Sequence, residues 1–215
     1  MAITALALTP DGTQIITGGS DGTVRVWDRA TRTPVGAPLT GHDGAVLAVA
    51  VTSDGTQVIT GGADATVRVW DLATRTPVGE PLTGHDGAVW AVAVTSDGTQ
   101  VITGGYDGTV RVWDLATRTP VGEPLTGHHG AVWAVAVTSD DAQVITGGAD
   151  ATVRVWDLAT RTPVGEPLTG HHGAVVAVAV TSDGTQVITG GADATVRVWD
   201  LATRTPVGEP LTGHV

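Results

Sequence analysis

The sequence predicts an all-β protein in which one four-stranded antiparallel blade is repeated five times and the copies pack face to face. Three observations lead there: a period of 43 residues running through all 215, a composition rich in β-branched residues and glycine, and prolines gathered in one segment of each repeat. The period is plain in VRVWD, whose tryptophans are Trp27, Trp70, Trp113, Trp156 and Trp199. A fixed spacing of this size marks a repeat architecture in which each copy is one supersecondary unit. The units are 1–43, 44–86, 87–129, 130–172 and 173–215, a single repeat domain with nothing left over for a linker. The second and fifth differ only at Leu47 against Val176 and Asp86 against Val215, an identity expected of recent amplification or deliberate construction.

Composition sets the terms for the core. Apolar residues make up 41% of the chain, yet its aromatics are seven Trp and one Tyr, so Val, Ala, Ile, Leu and Thr must fill the interior. Such residues suit a pleated sheet, and 30 Gly with 11 Pro supply the turns. The formal charge of -11, with every cation an arginine, argues against a nucleic-acid partner, which calls for a basic stripe. Cysteine is absent, which fits a reducing compartment. No apolar run approaches the roughly 20 residues that span a bilayer, and MAITALALTP lacks a cationic leader region. The expectation is a soluble, cytoplasmic protein with no membrane partner and no cofactor.

Within the second unit, AVLAVAV (45–51) is a continuous small-apolar run, as in a strand covered on both faces. Ser53-Asp54-Gly55-Thr56 makes a tight hairpin, because Asp-Gly tolerates positive φ. Strand b is QVITGG (57–62), and a turn at Asp64-Ala65 leads to strand c, TVRVWD (66–71). The segment RTPVGEPLTGH (75–85) holds Pro77 and Pro81, and ten of the eleven prolines occupy such segments. Proline cannot donate to a ladder and is confined to edges, so this segment is strand d on the outer rim, with strand a innermost. A blade apolar on both faces can bury neither alone, so blades must stack radially into a propeller.

Gly41-His42 … Trp70-Asp71 resembles the GH … WD signature of WD40 repeats, and the pair recurs along the whole chain. The resemblance implies a hydrogen-bonded structural tetrad in each blade. The second blade would use His42, Thr60, Asp64 and Trp70, and the third His85, Thr103, Asp107 and Trp113. The fourth would use His128, Thr146, Asp150 and Trp156, and the fifth His171, Thr189, Asp193 and Trp199. A buried indole, hydroxyl or imidazole is costly unless paired, which supplies the physical need. The first blade has Thr17, Asp21 and Trp27 but Met1 where the Gly-His would stand, leaving His214 as the only candidate donor.

A hydroxyl, an imidazole and a carboxylate together invite a hydrolase reading, with Thr60 as nucleophile, His42 as base and Asp64 as orienter. Repetition in every blade argues for architecture instead, because an active site departs from its neighbours. No catalytic residue is assigned. Gly61-Gly62 is no phosphate loop, since no lysine follows, and such glycines more naturally let blades approach. His128-His129 and His171-His172 read as loop histidines rather than metal ligands. Asp140-Asp141-Ala142, in place of Asp-Gly-Thr, reads as a strained turn rather than a cation site.

The units disagree most at two columns. The third residue of strand a is Thr4, Leu47, Trp90, Trp133 and Val176, and the residue before the turn Asp is Ser20, Ala63, Tyr106, Ala149 and Ala192. In the family, such positions line the top face around the channel, so Leu47, Trp90, Trp133, Val176 and Tyr106 are candidate binding residues. One reading makes Trp90, Trp133 and Tyr106 an exposed aromatic cluster for a basic protein or peptide. The other has both tryptophans filling the channel.

Closure of five blades would need wedges near about 72° rather than the about 51° of the common seven, so a closed monomer looks strained. An open arc leaves both end faces bare, a large penalty at about 25 cal/mol per Å². The expectation is therefore a head-to-tail homodimer of about eight to ten participating blades, acting as a non-catalytic scaffold. Its rival is a ligand-free array whose only activity is assembly.

Overall fold

The computed structural model describes residues 1–214, and among them every regular element is a strand. Blade 1 comprises β1 (Ile3–Leu8), β2 (Gln14–Gly19), β3 (Thr23–Asp28) and β4 (Leu39–Thr40). Blade 2 comprises β5 (Val46–Val51), β6 (Gln57–Gly62), β7 (Val67–Asp71) and β8 (Thr76–Pro77). In blade 3 the strands are β9 (Val89–Val94), β10 (Gln100–Gly105), β11 (Val110–Asp114) and β12 (Thr119–Pro120). Blade 4 holds β13 (Val132–Val137), β14 (Gln143–Gly148), β15 (Val153–Asp157) and β16 (Thr162–Pro163). Blade 5 holds β17 (Val175–Val180), β18 (Gln186–Gly191), β19 (Val196–Asp200) and β20 (Thr205–Pro206). Each sheet is a meander in chain order, and every pair is antiparallel. Val215, the last residue of the fifth unit, lies outside the described residues.

Local chemistry accounts for the corners. Between β5 and β6, Gly55 takes a φ of 71° while Asp54 accepts from the Thr56 amide at 2.9 Å and the Thr52 hydroxyl at 2.6 Å. After β7, Asp71 accepts from the Thr74 amide at 2.7 Å, and the Arg75 amide donates to the Asp71 carbonyl at 2.8 Å. Strand d is less continuous than the sequence reading of 75–85 as one strand. Thr76–Pro77 pairs with the end of β7, the chain then bulges out through Gly79 at a φ of 63°, and only Leu82 returns to bridge Val67. Two prolines within five residues leave too few donors for a longer ladder.

The Asp141 turn departs from its sister turns in one useful way. Asp141 sits at a φ of 56°, a conformation that strains a non-glycine residue. Its carboxylate accepts from the Ser96 amide at 2.7 Å and hydroxyl at 2.6 Å, and from the Asp97 amide at 3.2 Å. The strained residue thus clasps blade 4 to blade 3.

The core lies between blades, not within them. At the first interface Ile16, Val24, Val26 and Leu39 of blade 1 meet Val46, Val58 and Trp70 of blade 2. The same seven positions, shifted by one repeat, form the next three interfaces. Inner strands of successive blades lie side by side, β1 on β5, β5 on β9, β9 on β13 and β13 on β17. Such close approach needs glycine in strand b: a Cβ on Gly61 would stand 2.7 Å from Val89 Cγ1 and 3.0 Å from the Val89 carbonyl. Four interfaces serve five blades, and no comparable packing joins β17 to β1. The arc is open. Ile3, Leu6 and Leu8 of blade 1 and Val207 and Leu211 of blade 5 are 44–68% exposed.

Gly61→Ala should therefore force neighbouring backbones apart and lower stability by about 1–3 kcal/mol, the usual range for overpacking. Urea denaturation checks it, with a midpoint shift and an unchanged slope as the expected result.

Candidate functional site

In blade 2, four side chains form one hydrogen-bonded chain. The Trp70 indole N–H donates to Thr60 Oγ1 at 3.0 Å, and the Thr60 hydroxyl lies 2.7 Å from His42 Nε2. His42 Nδ1 lies 3.0 Å from the Asp64 carboxylate, which also accepts from the Asp43 amide at 2.9 Å. Direction follows from the two ends: an indole can only donate and an ionised carboxylate can only accept. His42 therefore donates from Nδ1, and in the neutral ring that burial favours the Thr60 hydroxyl donates to Nε2. Blade 3 repeats the arrangement through His85, Thr103, Asp107 and Trp113. Blade 4 does so through His128, Thr146, Asp150 and Trp156, and blade 5 through His171, Thr189, Asp193 and Trp199. Each histidine is carried by the preceding unit, on the loop that enters strand a. Gly62 is required here, because a Cβ would meet His42 and Asp64.

Electrostatics agree with a neutral ring. Burial pushes the His42, His85 and His128 rings below 6.5, and the facing carboxylates offset this only in part. For Asp150 burial pushes the carboxyl up, but hydrogen bonds from the His129 amide and Thr152, together with His128, outweigh it and hold the group at about 2. Thr60, Thr103, Thr146 and Thr189 are wholly buried. His129 and His172 are exposed, and it is their amides that touch the tetrads, at 2.9 and 2.8 Å.

Blade 1 has no histidine in this place. Trp27 donates to Thr17 at 2.9 Å, and Asp21 accepts from Thr23 at 2.7 Å, but Trp27 is half-buried where its four equivalents are 1% exposed. His214 is exposed and does not reach this corner in its own chain.

The variable column of strand a has a structural cause that sequence did not disclose. In every blade the register shifts at that residue, so Thr4, Leu47, Trp90, Trp133 and Val176 each sit in a β-bulge. A bulge re-aims its side chain. Trp90 and Trp133, on adjacent inner strands, pack with ring centroids 4.6 Å apart at 53°, and both indole N–H groups are buried without a partner. Tyr106, 63% exposed, lies against Gly87 and pairs with neither tryptophan. The expected three-membered cluster is thus a tryptophan pair plus a separate tyrosine, because Tyr106 belongs to the b–c turn and the tryptophans to the inner strands. Leu47 is half-buried and Val176 is 51% exposed.

The family model for WD40, described as WD domain, G-beta repeat, matches residues 1–28, 33–71, 75–114, 118–157 and 161–200. The chain belongs to the WD40 family. A search of curated proteins found no match to it. Each match after the first runs from the outer strand of one blade through the third strand of the next, so the chain is a WD40 propeller scaffold of four-stranded blades. No helix is long and apolar enough to cross a membrane among the described residues.

Two measurements test the WD40 tetrads. Thr103→Val would strand a buried indole and imidazole, for a loss of about 1–3 kcal/mol per group, whereas Thr17→Val in the open first blade should lose clearly less. Acid should weaken the fold in two stages. Below 6.5 the unfolded chain takes up protons that the buried rings refuse, and below 3.8 the tetrad carboxylates follow, down to about 2 for Asp150. A urea midpoint that is flat above neutrality and falls through both windows is the expected result.

Proposed function

We propose that the chain is a non-catalytic WD40 scaffold that assembles head to tail through its bare end faces and presents its top face to a protein or peptide. One observation carries the assembly: the two uncovered faces are the two halves of the interface that the chain makes four times internally. Blade 5 offers Ile188, Val196, Val198 and Leu211, the positions that elsewhere receive the next blade, and blade 1 offers Ile3, Ile15 and Trp27. Shape supports the same pairing. Gly208 and Gly213 have nothing within 4 Å of a Cβ position, whereas a Cβ on Gly122 would stand 2.8 Å from Arg161 of the next blade. In a second copy Arg32 is the equivalent cation. Covering Ile3, Leu6, Leu8, Val207 and Leu211 amounts to several kcal/mol at about 1.5–3 kcal/mol per side chain, before the entropic cost of association.

A homodimer, with each copy closing the other's arc, is the smallest assembly that covers all four faces. The top-face candidates are Tyr106, exposed beside Gly87, with Leu47, Trp90, Trp133 and Val176 on the inner strands. The net charge of -11 favours a basic partner and disfavours nucleic acid. The absence of cysteine suits a cytoplasmic setting.

Light scattering of the full chain should report the mass of two copies. Gly190→Ala should return it to one, because Ile3 of the second copy must approach there as Val89 approaches Gly61. In the chain alone that methyl would stand 3.5 Å from Ala177 Cβ, an ordinary contact, so the fold survives. One-copy mass for the unaltered chain refutes the assembly. For the top face, capture on an array of basic peptides should fall at least tenfold with Tyr106→Ala and Trp90→Ala together. Unchanged or absent capture leaves assembly as the sole activity.

A further inference from the structure

At the corner of blade 1, a cleft of about 250 Å³ is lined by Met1, Ile3, Thr17, Asp21, Thr23 and Trp27. It occupies the place that the imidazole fills in the other blades. Its chemistry is incomplete in a specific way. In blade 2, Asp64 accepts from His42 Nδ1 and from the amide of Asp43, and the Thr60 hydroxyl has His42 Nε2 as acceptor. In blade 1, Asp21 Oδ2 has neither donor and faces the Arg25 guanidinium at 3.7 Å, a side chain 44% exposed. What would complete the corner is a neutral imidazole entering with its own following amide.

The far end of the arc offers that group already shaped. Leu211-Thr212-Gly213-His214 repeats the Leu-Thr-Gly-His segments that deliver His42, His85, His128 and His171. Gly213 holds a φ of 151°, against 150° at Gly84 and 156° at Gly127 and Gly170, so the free tail has the backbone of the docked ones. At those three glycines a Cβ would touch the strand-c arginine and tryptophan of the blade being entered, at 2.8–3.4 Å, while Gly213 touches nothing. A binder held in its bound conformation loses little entropy on docking.

We infer that the cleft at Thr17, Asp21 and Trp27 is a binding site for a Leu-Thr-Gly-His tail, and that residues 211–214 of a second copy fill it. This rests on the head-to-tail reading and names the residue that the second copy contributes. In the filled site His214 Nδ1–H donates to Asp21, the Thr17 hydroxyl donates to His214 Nε2, and Gly213 lies on Arg25 and Trp27. The first tetrad is then complete, with its histidine in trans.

Sedimentation of the full chain with His214→Ala, Asp21→Asn and the double variant tests this. Asp21→Asn keeps an oxygen for Thr23 but turns an amide donor toward the ring, and urea denaturation of each variant checks that the fold is retained. Each single variant should raise the self-association Kd at least tenfold, and the double variant should raise it no further, because both changes remove one contact. If the unaltered chain associates and His214→Ala associates equally well, or if the two effects multiply, the tail does not fill the cleft and this inference falls while the head-to-tail assembly stands. If the unaltered chain stays single at every concentration, the assembly itself falls. A single chain that loses stability on His214→Ala would place His214 in its own first blade and overturn the inference.

Discussion

A WD40 blade here is a sheet with two apolar faces and almost nothing apolar enclosed within it, so its stability is a property of pairs. Ile16, Val24, Val26 and Leu39 are buried only because Val46, Val58 and Trp70 of the next blade lie on them. Every other feature serves that contact. Strand-b glycines give up a side chain so that a neighbouring valine can approach, and the strand-a bulge supplies the local twist that a radial stack requires. Rim arginines reach back across the seam, as Arg75 does to the Val35 carbonyl.

Polar groups are arranged to follow the same geometry. A tryptophan placed at the interface carries an N–H into a dry region, and the tetrad answers it with a relay that ends on a carboxylate near the surface. Because the histidine comes from the loop of the preceding unit, the relay also ties each blade to the chain entering it. The tetrad therefore acts as a seam, although its residue types are those of a hydrolase. An arc with four seams and five blades carries an unmatched half-seam at each end, and the proposed assembly rests on these two faces.

Repetition makes departures legible as individual events. Asp141 trades the relaxed turn of its sisters for a clasp to Ser96 and Asp97. Trp90 and Trp133 share the inner edge, with two donors left unpaired. Tyr106 stands outward at a turn whose other copies carry small residues. All of these departures fall in blades 3 and 4.

Strand number, order and most boundaries were legible in the residues themselves, because Asp-Gly turns, β-branched runs and rim prolines act over a few residues and declare themselves locally. Gln57–Gly62 is bounded in space as it is in sequence. The tetrads were legible only through the family resemblance, since His42 and Thr60 are 18 residues apart and nothing local joins them. The bulge was hidden because AVLAVAV is apolar throughout, so one extra residue leaves no break in its alternation. The clasp by Asp141, the separation of Tyr106 from the tryptophans and the broken outer strand depend on distances between blades or on pairing lost at an edge. The open arc was the hardest to read: repeat number counts blades, but the angle at which each rests on the next is a sum of many side-chain contacts, and only the assembled structure decides whether the ends meet.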